Sequence, residues 1–133
     1  MRGRHHLTGD RGAAAVEFAL LLPLLLMIVF GMIDFGRAFH TQIMLTQAAR
    51  EGVRLTALRQ PDVIARTQGA AQPLTGVGVL VTSCAAGSAA DAVVKTTYTF
   101  SFVTPVGAIA GMFGSSFGSS LSMSGRAVMR CQG

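Results

Sequence analysis

The sequence predicts an α+β protein: one long N-terminal helix, transmembrane at first and amphipathic afterwards, packed on a small antiparallel β-sheet of about three strands. Three patterns carry this expectation. Residues 12–33, GAAAVEFALLLPLLLMIVFGMI, are almost unbroken apolar chain. Helical periodicity then continues without a proline until Pro61. Beyond Pro73 the period changes from helical to the alternation of strands. The expected organisation is a leader over residues 1–12, a membrane segment over 13–35, the exported half of the helix over 36–60, and a small sheet domain over 61–133.

The apolar run sets the anchor. Its 21 residues from Ala13 to Ile33 would rise about 31 Å as a helix, close to the ~30 Å hydrocarbon core of a bilayer. Pro23 and Gly31 interrupt it, and membrane helices tolerate both; Pro23 frees the carbonyl of Ala19, which predicts a mild kink. Glu17 is the one acid inside the run. A carboxylate in lipid costs roughly 2.5–3.5 kcal/mol at a helix centre and less near the interface. Two readings account for it: a side chain reaching back to the headgroups beside Arg11, or a charge that awaits a partner.

Past Ile33, Asp34 and Arg37 stand three apart, a spacing at which helix neighbours pair, and mark where lipid ends. At about 100° per residue, Met44, Leu45, Ala48, Ala49, Gly52, Val53 and Leu55 share one broad face. His40, Gln47, Arg50, Glu51 and Arg54 collect on another. Ala48, Ala49 and Gly52 would let a second backbone approach closely, either a sheet of the same chain or a partner helix, and the sheet is the simpler expectation. The charged face is either simply solvated or a subunit contact.

Pro61 ends this helix, because a residue before proline is pushed out of helical geometry. A short helical turn follows over residues 62–71, with Asp62 placed to cap it, and Pro73 ends that. Residues 77–82 form a β-branched run that reads as a strand. Residues 93–104 alternate, with Val94, Thr96, Tyr98, Phe100 and Phe102 against Lys95, Thr97, Thr99 and Ser101, the pattern of a half-buried antiparallel strand. Over residues 121–131, Leu121, Met123, Ala127, Met129 and Cys131 oppose Ser122, Ser124, Arg126 and Arg130. The intervening residues 105–120, PVGAIAGMFGSSFGSS, are apolar and rich in Gly and Ser. They read as a flexible connection packed on the core, or as an apolar flap for a partner or a membrane surface.

Cys84 and Cys131 have no Cys or His neighbours at metal-ligand spacing. They are either a disulfide formed in an oxidising compartment or two buried thiols, and the disulfide is expected. Its loop of 48 residues corresponds to roughly 4 kcal/mol of stabilisation in the chain-entropy account. In a meander, first and third strands lie about 9.6 Å apart, whereas disulfide Cα atoms rarely exceed ~6.8 Å. Either Cys84 lies in a loop folding over the end of the middle strand, or the first strand pairs beside the third.

The net charge is +5, but residues 1–12 hold three of the eleven basic residues and one of the six acids. Without them the balance is +3, with no basic run, no Trp and one Tyr, so nucleic acid is not an expected partner. Arg2, Arg4 and Arg11 precede the run while Arg37 and Arg50 follow it, leaning towards a cytoplasmic N-terminus. The cysteines tip the expectation towards a C-terminal side outside the cytoplasm. A cleaved signal peptide is the rival for the run, but the chain offers no small-residue cleavage site after it.

Residues 12–18, GAAAVEF, resemble the processing site of type IV prepilin-like proteins. Gly36 and Arg37, followed by AAREGVR at residues 48–54, resemble the TadE-like proteins of the Flp, or Tad, pilus apparatus. With Phe18 and Pro23, the similarity covers residues 12 to about 58. It implies cleavage after Gly12 by a prepilin peptidase, leaving Ala13 as the new N-terminus and Glu17 as the fifth residue. The Ala13 ammonium would then be one candidate partner for Glu17, within a subunit or on its neighbour. It also implies assembly roles for Glu17, Phe18, Arg50, Glu51 and Arg54. The implied partners are the prepilin peptidase, other Tad pilins or pseudopilins, the inner-membrane Tad assembly machinery and the lipid bilayer.

The histidines are His5, His6 and His40, and beyond Glu51 the acids are Asp62 and Asp91. No Ser-His-Asp or Cys-His set, paired carboxylates, phosphate loop or metal motif can be assembled from these. No enzyme, cofactor or metal site is expected. The expected function is that of a TadE-like pseudopilin or minor pilin, a structural or assembly component of a Tad-type pilus in the bacterial inner membrane. The alternative is an anchored, exported ligand-binding module that joins no fibre.

Overall fold

The computed structural model describes residues 10–84, 90–112, 114 and 120–131. The leader up to Gly9, with its arginines and histidines, lies outside them, as do the side chain of Arg11 and the Phe113 and Phe117 portion of the expected flap. The order is α1 (Asp10–Ala57), α2 (Val63–Ala70), β1 (Gly78–Thr82), β2 (Asp91–Ser101), α3 (Val106–Met112) and β3 (Ser120–Arg130). The sheet runs β1-β2-β3 with both pairs antiparallel.

α1 continues through Pro23 for 48 residues, about 70 Å at ~1.5 Å each. Its end is set by the chain beyond it. Arg59 takes a left-handed φ of 53°, and the amides of Arg59 and Gln60 return to the carbonyls of Thr56 and Leu55 at 3.0 and 2.9 Å. This is the two-bond arrangement that satisfies the last carbonyls of a helix, usually with glycine where Arg59 stands. The Asp62 expectation needs correction. Asp62 also adopts a left-handed φ, 59°, and its side chain makes no capping bond to α2; only its carbonyl takes part, accepting from the Arg66 amide.

The second half of α1 lies across one face of the sheet. Ala49 and Val53 pack with Ala92, Val94, Ala127 and Cys131, while Leu45 and Ala48 pack with Ala71 and Val77. Met44 is only half-buried. The small residues bring the helix backbone against the strands. The Thr96 hydroxyl, fully buried in β2, donates to the Leu45 carbonyl at 3.0 Å, and Gly125 of β3 lies directly beneath that carbonyl. Gly52 faces Thr67 of α2 and Val94, so the second helix docks where α1 has no side chain.

β2 ends three residues earlier than its alternation predicts. The amides of Val103 and Thr104 bond to the Asp34 carboxylate instead of to a strand, and among the described residues β3 starts opposite Ser101. The connection then forms α3, a seven-residue helix, where the sequence suggested a flexible link or flap. Cys84 lies just past β1 and Cys131 just past β3, at disulfide distance with Cα atoms 5.8 Å apart. Since β2 separates the two strands, Cys84 lies over its end, as in the first of the two expected routes.

Candidate assembly surface

The candidate residues fall into two groups on α1. Gly12, Ala13, Glu17 and Phe18 lie on its first turns, all exposed, in a run whose apolar side chains project outward, Leu20 being 74% exposed. A core helix of a water-soluble domain would bury those side chains. This helix is long and apolar enough to cross a membrane.

Arg50, Glu51 and Arg54 lie in the last turns, on the side turned away from the sheet core. The Arg54 guanidinium donates twice to the Glu51 carboxylate, each at 3.2 Å. Those bonds are the largest influence and, with the charges of Arg54 and Arg66, hold Glu51 below its usual pKa against the desolvation of its carboxylate. The pair therefore favours the fold above the ordinary carboxylate range and loses its effect as pH falls through the lowered pKa. Being exposed, it contributes little to stability.

These residues meet β3 in an open hollow of about 520 Å³ whose lining includes Arg50, Glu51, Arg54, Arg126 and Met129. Three arginines and one acid give this groove a basic balance. The structure does not bring the two groups together: Glu17 and Arg50 stand 33 residues apart on one helix, about 50 Å at ~1.5 Å per residue. A contact between them would need two chains.

Asp34, expected to pair with Arg37 and to mark the lipid edge, also holds a distant segment of the chain. It is 2% exposed, and its carboxylate accepts the backbone amides of Val103 and Thr104, each at 3.3 Å, as well as the Thr104 hydroxyl. Arg37 pairs with it at 3.5 Å and spreads over the Phe100 ring, 5.3 Å from its centroid. Asp34 thereby ties the chain leaving β2 to the point where the apolar run ends. A signal for this was present, because Asp34, Thr41, Leu45, Ala48 and Gly52 follow one another at spacings of seven, four, three and four, a single buried helical face.

Residues 12–54 match the model of the TadE-like protein family. That segment is similar to TadE-like proteins. No curated protein and no solved structure matches the chain.

The TadE-like segment begins at Gly12 and ends at Arg54. It thus takes in the apolar run, Glu17, the Asp34 tie and the charged end of α1, and leaves the sheet outside it. The family is a pilus-associated structural one, and together with the one candidate span among the described residues it fits a membrane-anchored protein.

Proposed function

We propose that this chain is a TadE-like pseudopilin or minor pilin, a non-enzymatic structural or assembly component of a Tad-type pilus. Prepilin peptidase cuts it after Gly12, its N-terminal end faces the cytoplasm, and its sheet domain stands outside the inner membrane. The observation that supports this reading best is the TadE-like match over residues 12–54, which opens at the expected cleavage residue. The continuity of α1 argues against a cleaved signal peptide: a cut just after the run would fall beside Asp34 and Arg37, which hold Thr104 and Phe100.

In the proposed assembly, Glu17 receives a cation, the new Ala13 ammonium being the nearest candidate, and each charge lowers the other's cost in lipid. The basic groove at Arg50 and Arg54 offers a second contact outside the membrane. The sequencing test is direct. Protein extracted from membranes of cells expressing prepilin peptidase is expected to begin at Ala13, and a Gly12→Leu variant to begin at Met1. A wild-type chain that retains Met1 under these conditions would sink the proposal and favour an anchored binding module that joins no fibre.

Glu17→Ala is expected to be cut normally yet to enter pili at least about tenfold less, the effect of losing ~1.4 kcal/mol from an assembly contact. Immunoblots of sheared pili against whole membranes measure this. Unchanged incorporation would mean that Glu17 merely reaches the headgroups.

A further inference from the structure

We propose that the end of the sheet domain formed by Val103 and α3 seats in the headgroup region of the bilayer that α1 crosses, giving the protein a second membrane contact. This rests on the reading of α1 as a membrane anchor.

Depth is the first argument. The apolar run ends at Ile33, and the next residue, Asp34, holds the amides of Val103 and Thr104 at 3.3 Å. α3 begins two residues later and packs against α1. Phe30 and Gly31, one turn before Asp34 on the same helical face, are half-buried, whereas Met32 and Ile33 on other faces are 68% and 48% exposed. The domain thus reaches past Asp34 along the last turn of the apolar run, where a bilayer spanned by α1 would have its surface.

Composition is the second. Val103 is 71% exposed, α3 reads VGAIAGM, and the chain has no charged residue between Lys95 and Arg126. The nearest charges, Asp34 and Arg37, are paired with each other. The charged residues Arg54, Asp91, Arg126 and Arg130 lie towards the opposite end, where Asp91 pairs with Arg130 in the sheet register. A domain surrounded by water has no reason to separate its charges in this way. One resting on lipid does, because apolar surface gains by leaving water while charges lose.

A second contact fixes the tilt of α1, since a single span is free to lean and its angle is set by what anchors it. The Arg50 and Arg54 surface would then be presented at a defined height and orientation.

The chain contains no Trp, so single Trp substitutions report on one site each. Full-length Val103→Trp, Ala108→Trp, Met32→Trp and Leu80→Trp, in vesicles containing lipids brominated near the headgroup, form the test. Leu80 is 71% exposed in β1 beside Lys95. Trp at 103 and 108 is expected to emit blue-shifted light and lose most of it to the brominated lipid, while Trp at 80 is unaffected. Strong quenching at 32 with none at 103 and 108 would overturn the seat and leave the anchor standing. A blue shift at 103 and 108 without quenching would overturn it in favour of a second copy or another protein. No quenching at 32 would show that the anchor itself had failed. Retention of the Cys84–Cys131 bridge in each variant controls for folding.

Discussion

Gly125→Ala is expected to lower the stability of the sheet domain by about 3 kcal/mol, the upper part of the range for overpacking a close contact. A Cβ at this position would lie 2.5 Å from the Leu45 carbonyl oxygen, 2.7 Å from its carbon and 2.8 Å from the Thr96 hydroxyl. The first two are backbone atoms in the interior of α1, so no rotamer change relieves them. The helix must lift from the sheet, loosening Leu45, Ala48 and Ala49 and stretching the Thr96 to Leu45 hydrogen bond, whose buried carbonyl and hydroxyl are costly to separate. At roughly 4–8 °C per kcal/mol for a domain of this size, the unfolding midpoint should fall by about 12–24 °C.

Two other glycines calibrate the result. Gly52→Ala meets side chains, the Thr67 hydroxyl and Val94, both fully buried, so it should also destabilise, by roughly 1–3 kcal/mol. Gly69 has nothing within 4 Å of the added methyl, and Gly69→Ala in α2 should gain roughly 0.5–1 kcal/mol from backbone entropy. Thermal unfolding of the full chain in detergent, followed by near-ultraviolet dichroism, compares all three. A midpoint for Gly125→Ala equal to that of the wild type would contradict the close crossing of α1 over β3.

Asp34→Ala is expected to release the chain after β2 without unfolding the sheet. The substitution leaves two amides and one hydroxyl without their acceptor, a local cost of about 2–4 kcal/mol given that bonds to a charged group are the stronger kind. Hydrogen exchange of the full chain should show protection falling tenfold or more at Val103 and Thr104, since ~1.4 kcal/mol corresponds to a factor of ten. The β2 and β3 amides should be unchanged. Asp34→Asn keeps one acceptor oxygen and turns an NH₂ group towards the remaining donors, so it should fall between the two. Equal protection in all three proteins would mean that Asp34 does not hold this segment.

Much of the architecture was readable before any coordinates. The helix announced itself through an apolar run long enough for a bilayer, followed by the small-residue face of Leu45, Ala48, Ala49 and Gly52. The strands were visible in the alternation around Val94, Thr96 and Phe100. Glu17, Arg50, Glu51 and Arg54 stood out because charge is conspicuous both inside an apolar run and on one side of an amphipathic helix.

Other features depended on contacts between residues far apart in the chain, which periodicity does not encode. Asp34 looks like a surface acid until Val103 and Thr104, about 70 positions later, bring their amides to it. Asp62 has the chemistry of a capping residue, but in the turn after α1 it takes a left-handed conformation and its side chain makes no capping bond. Gly125 is a weak point in an alternating strand until the Leu45 carbonyl above it gives the missing side chain a reason.

Residue order alone dictated the long helix, the three strands and the acid in the apolar run, because each is a local pattern of hydrophobicity with its own period. Where β2 stops, how Cys84 reaches Cys131 and which groups tie the sheet domain to the end of the apolar run were settled by folding. In each case the deciding group is a buried donor, acceptor or thiol whose partner comes from a distant part of the chain, and only packing determines which partner that is.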